Sequence, residues 1–383
     1  MKKRFCSVQA KMRGKNRLLN FIDKIFLWLS YLLGFALLVS YLAPITDPSK
    51  FWPVAFFGLA YPFLLLGNLI LLTYWLLRKS KYILLPLVCV VLGWGVLKAN
   101  FGFRFNNEAT KGSTTPSALK IMTYNAHNFK RYGAENDPQT SHGMLLMIGD
   151  ERPDIIGIQE FFSRKRGQYA LKDSMQRIMQ SDHYFFKPFN LNTGRESTGL
   201  AIFSKYPIIN QGDIRLSEGG SGNQCVFADI KKLNDTIRYY NVHLQSIRFD
   251  TDDYTYLSKM STHGKTDISS SIRIGGKLKK AFLKRSEQVF KIKSHASQCP
   301  YPYIIAGDFN DTPASFAVNQ MAKGISNAFC EKGSGFARTY NGSFPNYQID
   351  YIMASSGFSV DSYHIVQKRF SDHYPVCSNL LLK

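Results

Sequence analysis

The sequence predicts a mixed α/β domain that follows a group of membrane-spanning helices. Three long apolar runs lie within the first hundred of its 383 residues. Beyond residue 118, short apolar runs alternate with helix-length segments, a pattern that by itself indicates only a mixed α/β fold. Several of the short runs end in an acidic, amide or imidazole side chain. Because strand ends of this kind expose their side chains together, the pattern favours a polar site at one edge of a sheet.

The apolar runs predict a membrane anchor over residues 1–105, with helices at 25–43, 53–77 and 82–98. A helix needs about 20 apolar residues to cross a bilayer, and about 17 suffice when flanking side chains reach the headgroups. The first two runs are long enough. The third is short, although Lys98 can extend it by reaching the headgroups. The alternatives are a buried helical hairpin or, for the first run, a cleaved signal peptide.

The basic residues predict the orientation of this anchor. Eight Lys and Arg residues precede the first run and three more lie in Arg78–Lys81, whereas the first loop holds only Lys50. Because Lys and Arg favour the cytoplasmic side, three crossings would place residues from 119 onward outside the cytoplasm. The sequence therefore predicts a multi-pass protein of the cytoplasmic (inner) membrane with an extracytoplasmic C-terminal domain.

The net charge of +21 is divided unevenly along the chain. Residues 1–118 hold 15 Lys and Arg against 3 Asp and Glu, so they carry twelve of the excess positive charges. The remainder carries only nine. The high overall charge is therefore a property of the anchor more than of the α/β domain, and it does not indicate a nucleic-acid-binding protein.

A polar stretch with Pro116 predicts a linker over residues 106–118, which leaves 119–383 as the second domain. Besides the strands that end in polar residues, strands are predicted at 184–189, 199–203, 225–230 and 363–366. Helices are predicted at 142–151, 168–179, 278–296 and 313–321, and hairpin-like turns at 204–207 and 219–223.

The clearest polar strand end is Gly307-Asp308-Phe309-Asn310, directly after the apolar run 304–306. Alone it could be an ordinary turn. Other segments repeat the design. Asn125 ends the run 119–125, Glu160 ends 154–160, His243 ends 239–243, Asp350 lies in 348–352, and Asp372 stands beside His373.

These motifs, in this order, resemble the endonuclease/exonuclease/phosphatase superfamily, from about Leu119 to the C-terminus. The resemblance implies a four-layer sandwich of two mixed β-sheets flanked by helices. It also implies a metal-dependent hydrolase that acts on phosphate esters. The resemblance is specific for the superfamily and leaves the substrate open.

Phosphate-ester chemistry explains the choice of residue types. The anionic oxygens repel a nucleophile, so a divalent cation must neutralise charge and a base must generate hydroxide from water. Carboxylate oxygens suit Mg²⁺, with Mn²⁺ as an alternative. Glu160 is the expected primary ligand, and the resemblance places Asn125 and Asp372 near the same ion.

The remaining motif residues receive catalytic roles. His373 beside Asp350 fits a general base, since the carboxylate would hold one tautomer and raise its basicity. His243 and Asn310 would donate hydrogen bonds to a phosphate oxygen. Asp308 would orient the attacking water or handle the proton of the leaving group.

Three further residues have open interpretations. Arg285 and Gln288 match a helix that the superfamily has after the His243 strand, but a solvated helix face explains them equally well. His127 either touches substrate or is an ordinary loop residue.

The predicted function is that of a membrane-anchored phosphoesterase that hydrolyses phosphodiester bonds as a nuclease or a phospholipid-type phosphodiesterase. The alternatives are a catalytically silent anchored binding module and a phosphomonoesterase for substrates such as inositol phosphates. The expected partners are the phosphodiester substrate and the lipid bilayer, and no protein partner is predicted. The choice between endo and exo action stays open. So does the pairing of Cys225, Cys299, Cys330 and Cys377.

Overall fold

A computed structural model describes residues 19–104, 115–130, 138–164, 167, 170–189, 196–217, 222–263, 267–342 and 345–383. Most of the predicted linker 106–118 and of the predicted turn 219–223 lies outside the described residues. The chain forms two compact units, one from residues up to Leu38 with Tyr61–Leu92, the other from Val39–Ala60 with Gly93–Lys383. The second unit thus includes 39–60 and 93–104, which the sequence assigned to the anchor.

Six helices form in the N-terminal region. They are α1 (Phe21–Ser40), α2 (Pro48–Phe51), α3 (Pro53–Leu59), α4 (Tyr61–Leu77), α5 (Leu84–Leu92) and α6 (Trp94–Asn100). Among the described residues, α1 is the one helix that by length and composition is able to cross a membrane by itself. The number rises to three if α3 with α4, and Lys81–Leu92 with α6, each count as one bent span.

The helices predicted over 53–77 and 82–98 each form as two helices that meet at a bend near one residue. The first break is at Ala60, where Pro62 lacks the amide hydrogen that would continue the hydrogen bonds of α3. The second is at Gly93, a weak helix former. A side chain at Gly93 would also overlap the ring of Tyr41.

Within the helical unit, α1 and α4 run antiparallel. Asp23, at the start of α1, accepts hydrogen bonds from Arg78 Nη2 at 2.6 Å and from the Tyr74 hydroxyl at 2.7 Å, both near the end of α4. Near the middle, Asn68 Nδ2 donates to the Leu33 carbonyl at 3.1 Å. The start of α1 and the end of α4 therefore lie at the same end of the helix pair.

The second unit holds fourteen strands and six further helices among the described residues. The strands are β1 (Phe101–Phe103), β2 (Ala118–Asn125), β3 (Ile155–Arg164), β4 (Tyr184–Pro188), β5 (Glu196–Ser204), β6 (Ile208–Ile214), β7 (Gln224–Lys232), β8 (Asp235–His243), β9 (Tyr303–Asp308), β10 (Ser326–Asn327), β11 (Ser334–Phe336), β12 (Asp350–Ala354), β13 (Phe358–Ile365) and β14 (Val376–Leu382). The helices are α7 (Pro138–Glu151), α8 (Leu171–Met179), α9 (Thr251–His263), α10 (Ile268–Ser297), α11 (Phe316–Ala322) and α12 (Ala328–Lys332).

Two six-stranded sheets carry the fold, in the orders β13-β14-β2-β3-β5-β4 and β10-β12-β9-β8-β7-β6. Each sheet is mixed, since β2 with β3 and β8 with β9 pair in parallel and the other neighbours pair antiparallel. Apolar side chains of both sheets meet in one buried core. Side chains of α7 and α8 pack on the other face of the first sheet, and those of α10 and α11 on that of the second. The predicted pair of mixed sheets flanked by helices is confirmed.

The register of the strands brings the predicted polar ends together. In the second sheet His243 of β8 lies opposite Asp308 of β9, and Asp308 lies opposite Asp350 of β12. In the first sheet Asn125 of β2 lies opposite Gln159 of β3. The carboxyl ends of the parallel strands therefore meet at the same edge.

Several elements were absent from the sequence prediction, chiefly β6, β14, α9 and α12. The edge strand β6 is mostly exposed and contains Asn210-Gln211-Gly212-Asp213, so it lacks the apolar alternation that predicts a strand. Strand β14 pairs with β13 and β2 through long-range contacts that local sequence does not reveal.

Gly157 of β3 packs tightly against β8 of the other sheet, which leads to a stability prediction. A Cβ atom there would lie 2.9 Å from Tyr239 Cε1 and 3.0 Å from Asn241 Cγ, both fully buried. We expect Gly157→Ala to lower the free energy of unfolding by about 1–3 kcal/mol through overpacking. Gly149→Ala, in α7 with only Ile178 at 3.8 Å, is the matched control and should be neutral or stabilising. Urea denaturation of both variants would test this, and equal stabilities would contradict it.

Candidate active site

Asp308 is the centre of the polar edge formed by β8, β9 and β12. The glycine before it is required, because a Cβ at Gly307 would lie 2.7 Å from the backbone nitrogen of Val242. Asp308 Oδ1 accepts from the Asn310 amide at 2.8 Å. Its Oδ2 accepts from Asn125 Nδ2 at 3.0 Å and from Asn310 Nδ2 at 3.1 Å. These donors hold the buried carboxylate in one orientation.

Two imidazoles flank this carboxylate. His243 Nε2 lies 3.6 Å from Asp308 Oδ2, and His373 Nε2 lies 3.8 Å from the same oxygen. The other nitrogen of His373, Nδ1, lies 3.0 Å from Asp350 Oδ2. His373 thus lies between two carboxylates, an arrangement that suits a ring with a hydrogen on both nitrogens.

The pKa values of these groups follow from their surroundings. Burial raises the pKa of Asp308 above the usual carboxyl range. Burial alone would lower the pKa of His373, but Asp350 and Asp308 together raise it well above its usual value. Asp308, Asp350 and His373 each present one ligand-type atom within 4.8 Å of the others.

Glu160 lies inside β3 rather than at a strand end, which corrects the predicted position. The pairing of β3 with β5 shifts register between Ile158 and Phe161, and Glu160 has a φ of 51°. This β-bulge turns the Glu160 carboxylate toward the site, as bulges next to active sites commonly do. The sequence does not reveal this bulge, because an acidic residue after an apolar run is found both at bulges and at strand ends.

The three predicted metal ligands gather around His127. Its Nδ1 lies 3.8 Å from Glu160 Oε2 and 3.6 Å from Asp372 Oδ1, and its backbone amide donates to Asn125 Oδ1 at 3.2 Å. Ser371 fixes this arrangement from the other side, since its hydroxyl donates to the Asn125 carbonyl at 2.9 Å and to Asp372 Oδ1 at 3.1 Å.

The donor set fits a hard divalent cation. Glu160, Asp372 and Asn125 offer two carboxylates and one amide oxygen, the ligand types that Mg²⁺ and Mn²⁺ prefer. Within the described part of the chain, no Lys or Arg nitrogen lies within 4 Å of either carboxylate. Two partly buried carboxylates that have no Lys or Arg partner among the described residues favour a bound cation between them.

A cavity of about 360 Å³ opens onto this edge of the sheets. Its polar side holds the predicted residues Asn125, Glu160, His243, Asp308, Asn310, Asp372 and His373, together with His127. Asp350 is buried and contacts His373, and it does not itself line the cavity. All eight predicted site residues are thus brought together.

Arg285 and Gln288 are buried, so a solvated helix face does not describe them. Arg285 Nη1 lies 3.1 Å from Asp311 Oδ2, and its Nε donates to the Gln245 carbonyl at 2.8 Å. Gln288 Oε1 accepts from the Gln245 amide at 2.9 Å. The pair ties α10 to the loops that follow β8 and β9, and so supports the position of His243 and Asn310.

Sequence reasoning missed Asp311, Ser371 and Thr339. The Thr339 hydroxyl oxygen accepts from the backbone amides of Ile349 and Asp350 at 2.9 and 3.0 Å, which fixes the start of β12. No short motif distinguishes these residues from ordinary loop residues. Cys225, Cys299, Cys330 and Cys377 are all free thiols in this structure.

A model of the Endonuclease/Exonuclease/phosphatase family matches residues 122–373, about two thirds of the chain. The chain therefore belongs to this family, and it is a metal-dependent hydrolase that acts on phosphoester bonds. A second model, of a domain family of unknown function, matches residues 23–100. No curated protein matches the chain significantly.

Solved structures of this fold include an endonuclease/exonuclease/phosphatase family protein and a mannosyl-6-phosphatase, both from Bacteroides thetaiotaomicron. The first is 18% identical with a TM-score of 0.49, over 70% of this chain and 98% of that one. The second is 18% identical with a TM-score of 0.49, over 69% and 100%. A humanized D. rerio TDP2 is 14% identical with a TM-score of 0.46, over 69% and 99%. At this distance the likeness carries nothing about substrate.

Proposed function

We propose that this protein is a membrane-anchored phosphodiesterase that depends on Mg²⁺ or Mn²⁺ and acts outside the cytoplasm. The observation that carries the proposal is the convergence of two groups on one cavity. Glu160, Asp372 and Asn125 form a hard-cation donor set, and beside it Asp308 lies between two imidazoles. A bound cation would neutralise phosphate charge and make a water molecule more acidic.

The protein side chains divide the remaining work. Asp308 is the proposed acceptor of the water proton, because it lines the cavity and its Oδ2 is oriented by two amide donors. His373 and His243 are proposed to donate hydrogen bonds to the phosphate as charge develops. Asp350 positions His373. His373 lies between two carboxylates, which favour its protonated form. The role of general base that the sequence predicts for His373 is therefore the alternative to Asp308.

The proposal of three crossings rests on the distribution of basic residues and on the helix pair. Because α1 and α4 are antiparallel, the start of α1 and Arg78–Lys81 lie at the same end, and the basic N-terminal residues directly precede α1 in the sequence. One cytoplasmic location for both satisfies the preference of Lys and Arg. In this arrangement α4, with 17 residues, is a minimal span, and the bent Lys81–Asn100 segment is the third.

A fusion experiment tests the topology. We expect a reporter that is active only outside the cytoplasm to be active when fused after Lys383, because three crossings separate it from the N-terminus. The matched control is the same reporter fused after Ser80, which should be inactive. Activity of a cytoplasm-restricted reporter after Lys383 would contradict the extracytoplasmic location.

Hydrolysis itself is tested on the full-length protein in detergent. A soluble diester such as bis(4-nitrophenyl) phosphate should be hydrolysed with Mg²⁺ or Mn²⁺ and not with a chelator. Metal-independent hydrolysis would contradict the proposed metal dependence, and the absence of hydrolysis with either ion would favour a silent binding module.

A further inference from the structure

The cavity has an apolar side that the catalytic residues do not use. It is lined by Leu59, Ile247, Phe249, Leu278 and Phe282, with Tyr254 and Tyr347 beside them. The cavity volume of about 360 Å³ is typical of a small-ligand site. A substrate that contacts the whole cavity must therefore have a phosphate at one side and an apolar group at the other.

Part of this apolar side comes from Val39–Ala60, the segment between α1 and α4. Phe56 packs edge-on against Phe282 with ring centroids 5.4 Å apart. The Tyr347 hydroxyl donates to the Leu59 carbonyl at 3.1 Å, and Ser286 Oγ donates to Asp47 Oδ1 at 2.7 Å. These contacts fasten the segment at both of its ends to the catalytic unit.

Helix α3 lies close against the loop that follows the Gly-Asp-Phe-Asn motif. A Cβ atom at Gly58 would lie 2.9 Å from the Ala314 carbonyl oxygen and 2.6 Å from Ala43 Cβ. Lys279 Nζ lies 4.6 Å from the centre of the Trp52 ring. The segment is thus a packed component of the catalytic unit and not a loop beside it.

The rest of the apolar side comes from the segment between β8 and α10, here called the insertion. Its largely polar sequence does not predict an apolar wall. Asp253 of α9 is fully buried and pairs with Arg273 Nε at 2.8 Å and with Lys277, which locks α9 against α10. Ile247, Phe249 and Tyr254 then line the cavity. Apolar residues of this insertion pack with Ala55, Phe56 and Leu59 around Leu278 and Phe282.

The chain connects this wall directly to the proposed membrane spans. Residues 39–60 follow α1, and Leu59 precedes the first residue of α4 by two positions. Exposed apolar side chains lie in the same segment, namely Leu42, Ile45, Phe51 and Trp52. A segment that joins two spans and exposes apolar side chains lies at the membrane surface.

We infer that the substrate is a membrane phospholipid, bound with its phosphodiester at the catalytic side and the apolar part of the lipid against the wall that includes Leu59. This inference rests on the proposed function and specifies its substrate class. The reaction adds water across one P–O bond. The water oxygen bonds to phosphorus, the ester oxygen leaves with a proton, and a phosphomonoester and an alcohol result.

A nucleic acid fits the same lining less well. Nucleic-acid sites neutralise successive phosphates with Lys and Arg. Among the described residues that line this cavity, Arg248 and Arg285 are the only two basic side chains of that kind, and Arg285 already pairs with Asp311.

The test compares two substrates with the full-length protein and Mg²⁺ or Mn²⁺. One is phospholipid in vesicles of phosphatidylcholine, phosphatidylglycerol and sphingomyelin, and the other is soluble bis(4-nitrophenyl) phosphate. DNA and RNA are assayed under the same conditions as the competing substrate class. We expect hydrolysis of at least one phospholipid. We also expect Leu59→Ala to lower the ratio of phospholipid to soluble-diester kcat/KM by about tenfold, because methylene-sized losses in apolar pockets have effects of this order.

Two further variants make the result specific. Leu59→Met keeps an apolar side chain of similar size and should retain the ratio. Leu146→Ala makes the same change as Leu59→Ala on an exposed face of α7, outside the cavity and outside residues 39–60, and it should leave the ratio unchanged. Thermal melting of each variant shows whether it is folded.

The outcomes separate the two proposals. Hydrolysis of the soluble diester without any phospholipid, preference for DNA or RNA, or an unchanged ratio in folded Leu59→Ala would overturn the inference and leave the phosphodiesterase proposal intact. Failure to hydrolyse either substrate with either ion would overturn both.

Discussion

Replacement of Glu160 by Gln is expected to lower kcat about a thousandfold and to abolish the stabilisation of the protein by Mg²⁺. Glu160 and Asp372 are the two carboxylates near His127 that have no Lys or Arg nitrogen within 4 Å among the described residues. Loss of one anionic ligand should remove about 4 kcal/mol of transition-state stabilisation, which corresponds to about three orders of magnitude in rate.

The measurements are initial rates at saturating Mg²⁺ and the shift of the melting temperature on addition of Mg²⁺. Glu287→Gln is the matched control, because the same change is made on an exposed face of α10 where Glu287 pairs only with Lys291 at 2.6 Å. Glu287→Gln should have the activity and the Mg²⁺-dependent melting shift of the wild type. Full activity of Glu160→Gln in chelator-treated protein would show that Glu160 does not act through a bound metal.

The second large effect is expected for Asp308→Asn. Both carboxylate oxygens of Asp308 accept hydrogen bonds from N–H groups, and the amide of Asn would present a donor to one of them. Loss of the proposed proton acceptor should lower kcat by about 10²–10⁴-fold. Asp213→Asn, on the exposed strand β6, is the control for the same chemical change and should retain activity.

The pH profile identifies which group accepts the proton. A base works in its deprotonated form, so kcat/KM should rise with pH through the pKa of the base. Because burial raises the pKa of Asp308, this rise should lie above the usual carboxyl range. Asp308→Asn should remove the rise. If the rise persists there and disappears in His373→Asn, then His373 is the base.

Which residues gather at the cavity could be predicted from the sequence, and the family confirms the class of reaction. Asp308 and Asn310 follow a buried apolar run, and His243 ends another, so their places at one sheet edge follow from strand periodicity. The order of the motifs added Asn125, Glu160, Asp350, Asp372 and His373. The pair of mixed sheets followed from the resemblance, since alternation alone predicts only a mixed α/β fold.

Other features depend on contacts that only the folded chain makes. The bulge that turns Glu160 inward arises from the pairing of β3 with β5, and Arg285 is buried because Asp311 meets it from a distant loop. The breaks at Ala60 and Gly93 have a local cause, Pro62 and the glycine itself, which a measure of apolar composition does not register.

What the sequence by itself determined is the chemistry, because local runs of side chains decide where strands end and which polar groups stand there. What only the tertiary structure decided is the composition of the cavity wall. Residues 39–60 read as membrane anchor, since hydropathy measures how apolar a segment is and not what it contacts. Their contacts with Phe282, Ser286 and Tyr347 make them part of the catalytic unit, because packing between segments more than 200 positions apart is a property of the fold alone.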